Sequence, residues 1–283
     1  MTNPIISLYA SAARPEKWMK LYDSIKHNNN EFEIVFVGPK TPRMQLPRQF
    51  NYIKSYTKPA QCAEIAARNA KGMFLLHCVD DLIFTDKNAL DKIIEYYKNS
   101  KKEGSELILT PKLMRNGEPY LESNYKLYPE INDCPYIPIS IFIKTSLYRD
   151  LGGYDLTFIA SMADTDLAYR GINEANASIE FVEVFVDENK NDAGGGTLFA
   201  DYMHNDLTLL KELWFKDKRF LHQRSKIFSG FSKSNINTIT QGRKGRWGVI
   251  GIYLDKIGIL KIYIPLKNIV KRFFKFIKNT VIL

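Results

Sequence analysis

The stretch "LLHCVDDLIFTD", residues 75–86, runs through apolar residues and then sets two carboxylates side by side at Asp80 and Asp81. With Met73 and Phe74 ahead of it, the run over 73–79 reads as a buried strand that begins just after Gly72. Asp86 can cap a helix whose apolar face is Leu90, Ile93, Ile94 and Tyr97. Upstream, "IISLY" (5–9) predicts a strand, and Trp18, Leu21, Tyr22 and Ile25 recur at helical spacing. "FEIVFV" (32–37) ends at Gly38-Pro39, "YIKSY" (52–56) is a weaker strand, and "AQCAEIAARNAKG" (60–72) predicts a small-residue helix closed by Gly72. Downstream, "ELILTP" (106–111) and "IPISIFI" (137–143) are further strands. The βαβα alternation predicts an α/β protein with a mostly parallel, Rossmann-like sheet and helices on both faces. Ligands of such sheets bind at the carboxyl ends of the strands, which is where Asp80 and Asp81 fall.

The charge pattern limits the partners. The chain has 283 residues and a formal net charge of +9, yet from Arg243 to Leu283 there are ten Lys plus Arg and one acid. The other 242 residues balance at 30 basic and 30 acidic. A nucleic-acid-binding body would carry its excess charge on the folded surface, so nucleic acid is not an expected partner. Cys62, Cys78 and Cys134 are scattered without a CxxC pair, which fits a reducing compartment. No basic segment followed by a long apolar run precedes the first strand, so the expected location is cytoplasmic.

Two acidic sites carry candidate chemistry. Asp80 and Asp81 together make a hard oxygen pair suited to Mn²⁺ or Mg²⁺, although a solvated strand end would look the same. In "LYRDLGGYDLTFIASMADTDLAYRG" (147–171), Asp164-Thr165-Asp166-Leu167 opens a helix. A carboxylate in a first helical turn is favoured by the helix dipole and can accept a proton, or can simply cap the helix.

Taken in order over residues 3–215, these segments resemble the family 2 glycosyltransferases of the GT-A fold. "IISLYASAARPEKWMKLYDSI" is similar to the family's first strand and helix. "AARNAKGMFLLHCVDD" resembles its Ala-Arg-Asn, glycine, strand and acidic DxD-type segment. "GGYD" followed by "ADTDL" and Arg170 resembles its acceptor-side segment. The resemblance implies that Ser7, Tyr9, Arg68, Asn69 and Asp80 lie near the nucleotide. It also implies that Asp81, with Asp80, holds a divalent metal on the diphosphate of a nucleotide sugar. Asp164 would be the catalytic base, and inversion at the anomeric carbon is implied. In some relatives a late histidine reaches the metal, a role that would fall to His204. The chain departs from the pattern at three points: "VGPK" (37–40) replaces an acidic pair, Cys78-Val79 precedes the aspartates, and Ala163 replaces the usual Glu.

The expected domains are 1–242, the transferase, and 243–283, a C-terminal helical basic extension. In the extension Leu266, Ile269, Val270, Phe273, Phe274 and Ile277 form an apolar stripe beside lysines, which predicts an interfacial helix on an anionic membrane surface. The protein would then be peripheral on the inner face of the membrane. A helical subdomain packed on the body is the other reading. The expected acceptor is a glycan or lipid-linked hydroxyl, as in polysaccharide biosynthesis. A pyrophosphorylase is disfavoured because "SAARPEKW" (11–18) is not a Gly-rich phosphate loop. A catalytically inactive glycosyltransferase-like protein that binds carbohydrate or membrane is the alternative.

Overall fold

A computed structural model describes residues 4–100, 105–120, 140–188 and 200–216, all within one compact unit, Met1–Ile239. The basic extension 243–283, the glycines 194–196 and Cys134 lie outside the described residues. Among the described residues, no helix is long and apolar enough to cross a membrane.

The first half follows the apolar periodicity. Strand β1 (Ile6–Ser11) is buried along nearly its whole length, as a central strand covered on both faces must be. Helix α1 (Trp18–Ile25) buries Trp18, Leu21 and Ile25, the residues its spacing placed on one face. Strands β2 (Phe32–Gly38) and β3 (Phe50–Lys54) follow, then α2 (Pro59–Asn69) and β4 (Phe74–His77). The order β3-β2-β1-β4 is parallel throughout. Its register sets Tyr9 beside His77.

Past β4 the sheet is mixed. β5 (Leu82–Phe84) and α3 (Ala89–Ser100) are followed by β6 (Glu106–Arg115), β7 (Glu118–Pro119), β8 (Phe142–Lys144), α4 (Thr145–Asp150), α5 (Ala163–Ala175), β9 (Ala177–Glu188) and α6 (Ala200–Lys211). β8 runs antiparallel to β4 and to β6, β9 is parallel to β6, and β5 is antiparallel to β9. Parallel pairing therefore holds for one half of the sheet. In the other half the short β8 turns the chain back, a step that hydrophobic runs alone do not signal.

Helices cover both faces. Tyr9, Val35, Leu75 and Ile143 pack with α2, α4 and α5 on one side, while Leu8, Phe36, Leu76 and Phe142 pack with α1 and α3 on the other. Trp18 lies fully buried against Phe36, Phe50 and Tyr52. Truncating such an aromatic to alanine costs about 3–5 kcal/mol.

One sequence expectation needs correction. Gly72 does not close α2, which ends at Asn69 with Ala70 extended. Gly72 instead lets the chain pass β1, since a Cβ there would stand 2.7 Å from the nitrogen and Oγ of Ser7. Asp206 sits inside α6, buried, with its carboxylate accepting from the amides of Ile159, Ala160 and Ser161.

Candidate active site

The carboxyl ends of β1 and β4 meet at the turn after β1. The Ala12 amide donates to the Val37 carbonyl at 2.8 Å. Gly38 makes this approach possible, because a Cβ there would lie 1.7 Å from the Ala12 oxygen. The fixed turn aims the amides of Ala13 and Arg14 at Asp80 Oδ2, at 2.7 and 2.6 Å. The Arg14 side chain folds back over the same acids. Nε donates to Asp80 Oδ1 at 2.8 Å, Nη1 to Asp81 Oδ2 at 2.5 Å, and Nη2 both to Asp81 Oδ1 at 2.6 Å and to Asp80 Oδ1. Lys17 Nζ stands 3.5 Å from Asp81 Oδ2. Both aspartates are buried. Burial pushes the Asp81 carboxyl up while Arg14 holds it down, and Asp80 beside it adds repulsion. Burial works against the charge of Arg14 too, but the two aspartates override it and push the guanidinium up.

A second cluster forms at the end of β4, three residues before that pair. His77, the last residue of β4, packs its ring 5.3 Å from Tyr9 and 5.8 Å from Tyr154, whose hydroxyl accepts from Tyr9 at 3.0 Å. Asp164 enters from the first turn of α5, with Oδ2 3.9 Å from His77 Nδ1 and Oδ1 accepting from the Thr165 amide at 2.9 Å. That distance is too long for a hydrogen bond, so the contact is electrostatic. Burial pushes the Asp164 carboxyl up, and His77 and the backbone amides only partly offset it. Burial also holds Tyr9 and Tyr154 well above the ordinary tyrosine range, so both keep their protons.

Buried ion pairs fasten α5 and α2 behind these clusters. Arg170 donates through Nε to Asp166 at 2.9 Å, through Nη1 to the Leu151 carbonyl and through Nη2 to the Gly153 carbonyl at 2.5 Å. Trp214 Nε1 donates to the other Asp166 oxygen at 2.9 Å. Glu64 of α2 accepts from the Tyr148 hydroxyl at 2.5 Å, the Tyr154 amide at 2.8 Å and Arg68 Nε at 2.6 Å.

Of the sequence-derived candidates, Asp80, Asp81, Tyr9 and Asp164 gather at these two clusters, and three others stand apart. Ser7, near the start of β1, donates to Glu33 at 2.6 Å and accepts from the Gly72 amide at 2.8 Å. Asn69 donates to the Ile65 carbonyl, and Arg68 is drawn to Glu64. The end of α2 leads into the start of β4, which puts Arg68 and Asn69 at the sheet edge opposite Asp80. His204 lies within α6 rather than ahead of it, and its side chain is outside the described residues. Arg14, Lys17 and His77 have no motif of their own. Only the topological rule that points to strand ends could have drawn attention to them.

This arrangement of side chains does not fit a divalent cation between Asp80 and Asp81. All four carboxylate oxygens already accept from nitrogen donors of the turn after β1. Burial pushes the Cys78 thiol far up, so no thiolate is at hand. Among the described residues, no three His, Cys, Asp or Glu side chains stand together as ligands.

No protein-family model matches the chain, and no curated protein matches it. Among solved structures, S. aureus TarS 1–349 in complex with UDP is similar, with a TM-score of 0.51 and 17% identity over 86% of this chain and 76% of that chain. The same protein in complex with UDP-GlcNAc gives a TM-score of 0.52 and 16% identity over 86% and 77%. At this identity the likeness speaks for architecture alone, and the chain shares the mixed α/β fold of these structures.

Proposed function

We propose that the protein is an inverting glycosyltransferase of the family 2 kind, which moves a sugar from a nucleoside diphosphate sugar to a hydroxyl of a glycan or lipid-linked acceptor. The observation that carries this reading is Asp164, a buried carboxylate with a raised pKa at the start of α5, close to the carboxyl edge that holds Asp80 and Asp81. A carboxylate whose burial raises its affinity for a proton is the stronger base that deprotonation of an acceptor hydroxyl favours. The acceptor oxygen attacks the anomeric carbon and its proton passes to Asp164. The bond from that carbon to the diphosphate breaks, and the electron pair leaves on the diphosphate. UDP is the favoured carrier, since the structurally similar TarS was crystallised with UDP and with UDP-GlcNAc. Mn²⁺ or Mg²⁺ at Asp81 and Asp80, the usual GT-A arrangement, would require Arg14 to withdraw.

The test is titration calorimetry of the purified chain with UDP, GDP, CDP and dTDP, followed by a donor-hydrolysis and transfer assay with the matching sugar nucleotide. Binding of one diphosphate nucleotide with turnover supports the reading. Binding without turnover across donors and acceptors would leave the noncatalytic alternative. The membrane-surface role of residues 243–283 is tested by flotation with anionic liposomes, where deletion of that segment is expected to abolish binding.

A further inference from the structure

We infer that Arg14 fills the seat a divalent cation would take between Asp80 and Asp81, so that the protein binds a nucleoside diphosphate without metal. The inference rests on the glycosyltransferase reading for its ligand, but not for its geometry. A cation between two adjacent carboxylates cancels their repulsion and lets the anionic diphosphate approach. Arg14 already does the first of these with a charge tethered to the backbone. Its guanidinium makes four of its five N–H bonds to the two acids, three of them at 2.5–2.8 Å. Lys17 adds a second positive charge at 3.5 Å from Asp81, so two cations already stand against the aspartate pair.

The seat is built rather than casual. The Arg14 amide and the side chain of the same residue grip one carboxylate, so the turn and the guanidinium are fixed together. Pro15 follows at once and opens a 3₁₀ turn, Pro15–Lys17, which carries Lys17 to Asp81. Trp18 Nε1 stands 3.5 Å from Asp80 Oδ2, on the side away from Arg14's planar fork. Mg²⁺ demands near-octahedral oxygen ligation and Mn²⁺ prefers the same donors. Here each oxygen they would use is held by a charged or backbone N–H, and such charge-assisted bonds are the strong ones. Cys78 stands two residues before Asp80, where an Asp or Asn would add a further oxygen, and its buried thiol supplies none.

The experiment measures Mn²⁺ binding by electron paramagnetic resonance and UDP binding by calorimetry, on the full chain, in EDTA and in Mn²⁺. Expected results are no stoichiometric Mn²⁺ uptake by the wild type and a UDP affinity that differs by less than about threefold between the two buffers. Arg14→Ala should take up Mn²⁺, lose about tenfold or more of its UDP affinity in EDTA and recover it in Mn²⁺. Arg14→Gln, which keeps a polar side chain over the acids, repeats the test should the alanine variant fold poorly. Wild-type Mn²⁺ uptake abolished by Asp81→Asn, or UDP binding that requires Mn²⁺, would overturn the inference. If UDP binds in neither buffer, the transferase reading loses its ligand, whereas the contrast in Mn²⁺ uptake between wild type and variant still decides the role of Arg14.

Discussion

Asp164 and Asp166 stand two residues apart on α5 and meet opposite surroundings. Asp166 is fully buried, with Arg170 on one oxygen and the Trp214 indole on the other. Asp164 has only the Thr165 amide and its own amide beside it, with a histidine at 3.9 Å. A carboxylate whose oxygens are all held by fixed donors is committed to structure. One that is desolvated with few partners is poised to take a proton. Asp80 and Asp81 belong with Asp166 in this respect, since every oxygen of theirs is held.

Replacing each acid of α5 should separate the two roles. Asp164→Asn is expected to cut transfer by roughly 10² to 10⁴-fold with little change in UDP affinity. It should also raise the melting midpoint at neutral pH. The folded pKa of Asp164 lies above its unfolded value, so between the two values the native state holds the extra proton. Stability is then lost as pH rises through that window, and an amide that cannot ionise avoids the loss. A transfer rate equal to wild type would remove Asp164 from the chemistry.

Asp166→Ala should instead act on the fold. It strands the Arg170 guanidinium in a site with no solvent access, which costs about 3–5 kcal/mol. Chemical denaturation would read this as a lower midpoint with an unchanged slope. Loss of transfer should track the fraction unfolded. A stable, folded but inactive Asp166→Ala would break the contrast between the two acids.

Much of this contrast was present in the sequence and some of it was not. The spacing of Trp18, Leu21 and Ile25 specified α1, and the Gly-Gly-Tyr-Asp and Ala-Asp-Thr-Asp segments located α5. The short run Leu82–Phe84 was missed as a strand, because three residues show no period of their own. Arg68 and Asn69 are expected near the nucleotide by resemblance, and in the fold they close α2 with Arg68 on Glu64 and Asn69 on the Ile65 carbonyl. Arg14 went unnoticed because a lone basic residue after a strand has no distinguishing pattern. It gains meaning only when Asp80, 66 residues later, folds back onto its amide.

A smaller effect tests the framework behind Asp164. Tyr148→Phe removes one donor from the buried Glu64 carboxylate, which keeps the Tyr154 amide and Arg68. The expected cost is about 1–3 kcal/mol of stability by thermal or urea melting. Transfer per folded molecule should fall less than for Asp164→Asn, because Tyr148 reaches the base only indirectly, through Tyr154 and Tyr9. A loss of transfer as deep as that of Asp164→Asn, with stability unchanged, would move Tyr148 from the framework into the chemistry.

The smallest expected effect is also the most specific, because it reads the histidine that stands 3.9 Å from Asp164. His77 lowers the Asp164 carboxyl against a larger upward push from burial. The wild-type acid limb of kcat/KM should therefore lie above the ordinary aspartate range, with activity lost as pH falls through it. His77→Leu removes the side chain that opposes burial there, so the Asp164 pKa should rise further and the acid limb should move to higher pH. Leucine fills similar space between Tyr9 and Tyr154, so the plateau rate should change by less than about tenfold. His77→Gln, polar but uncharged, should move the limb in the same direction. A limb that stays in place in both variants, or moves to lower pH, would show that His77 carries no charge toward Asp164, leaving its ring a packing partner of the two tyrosines.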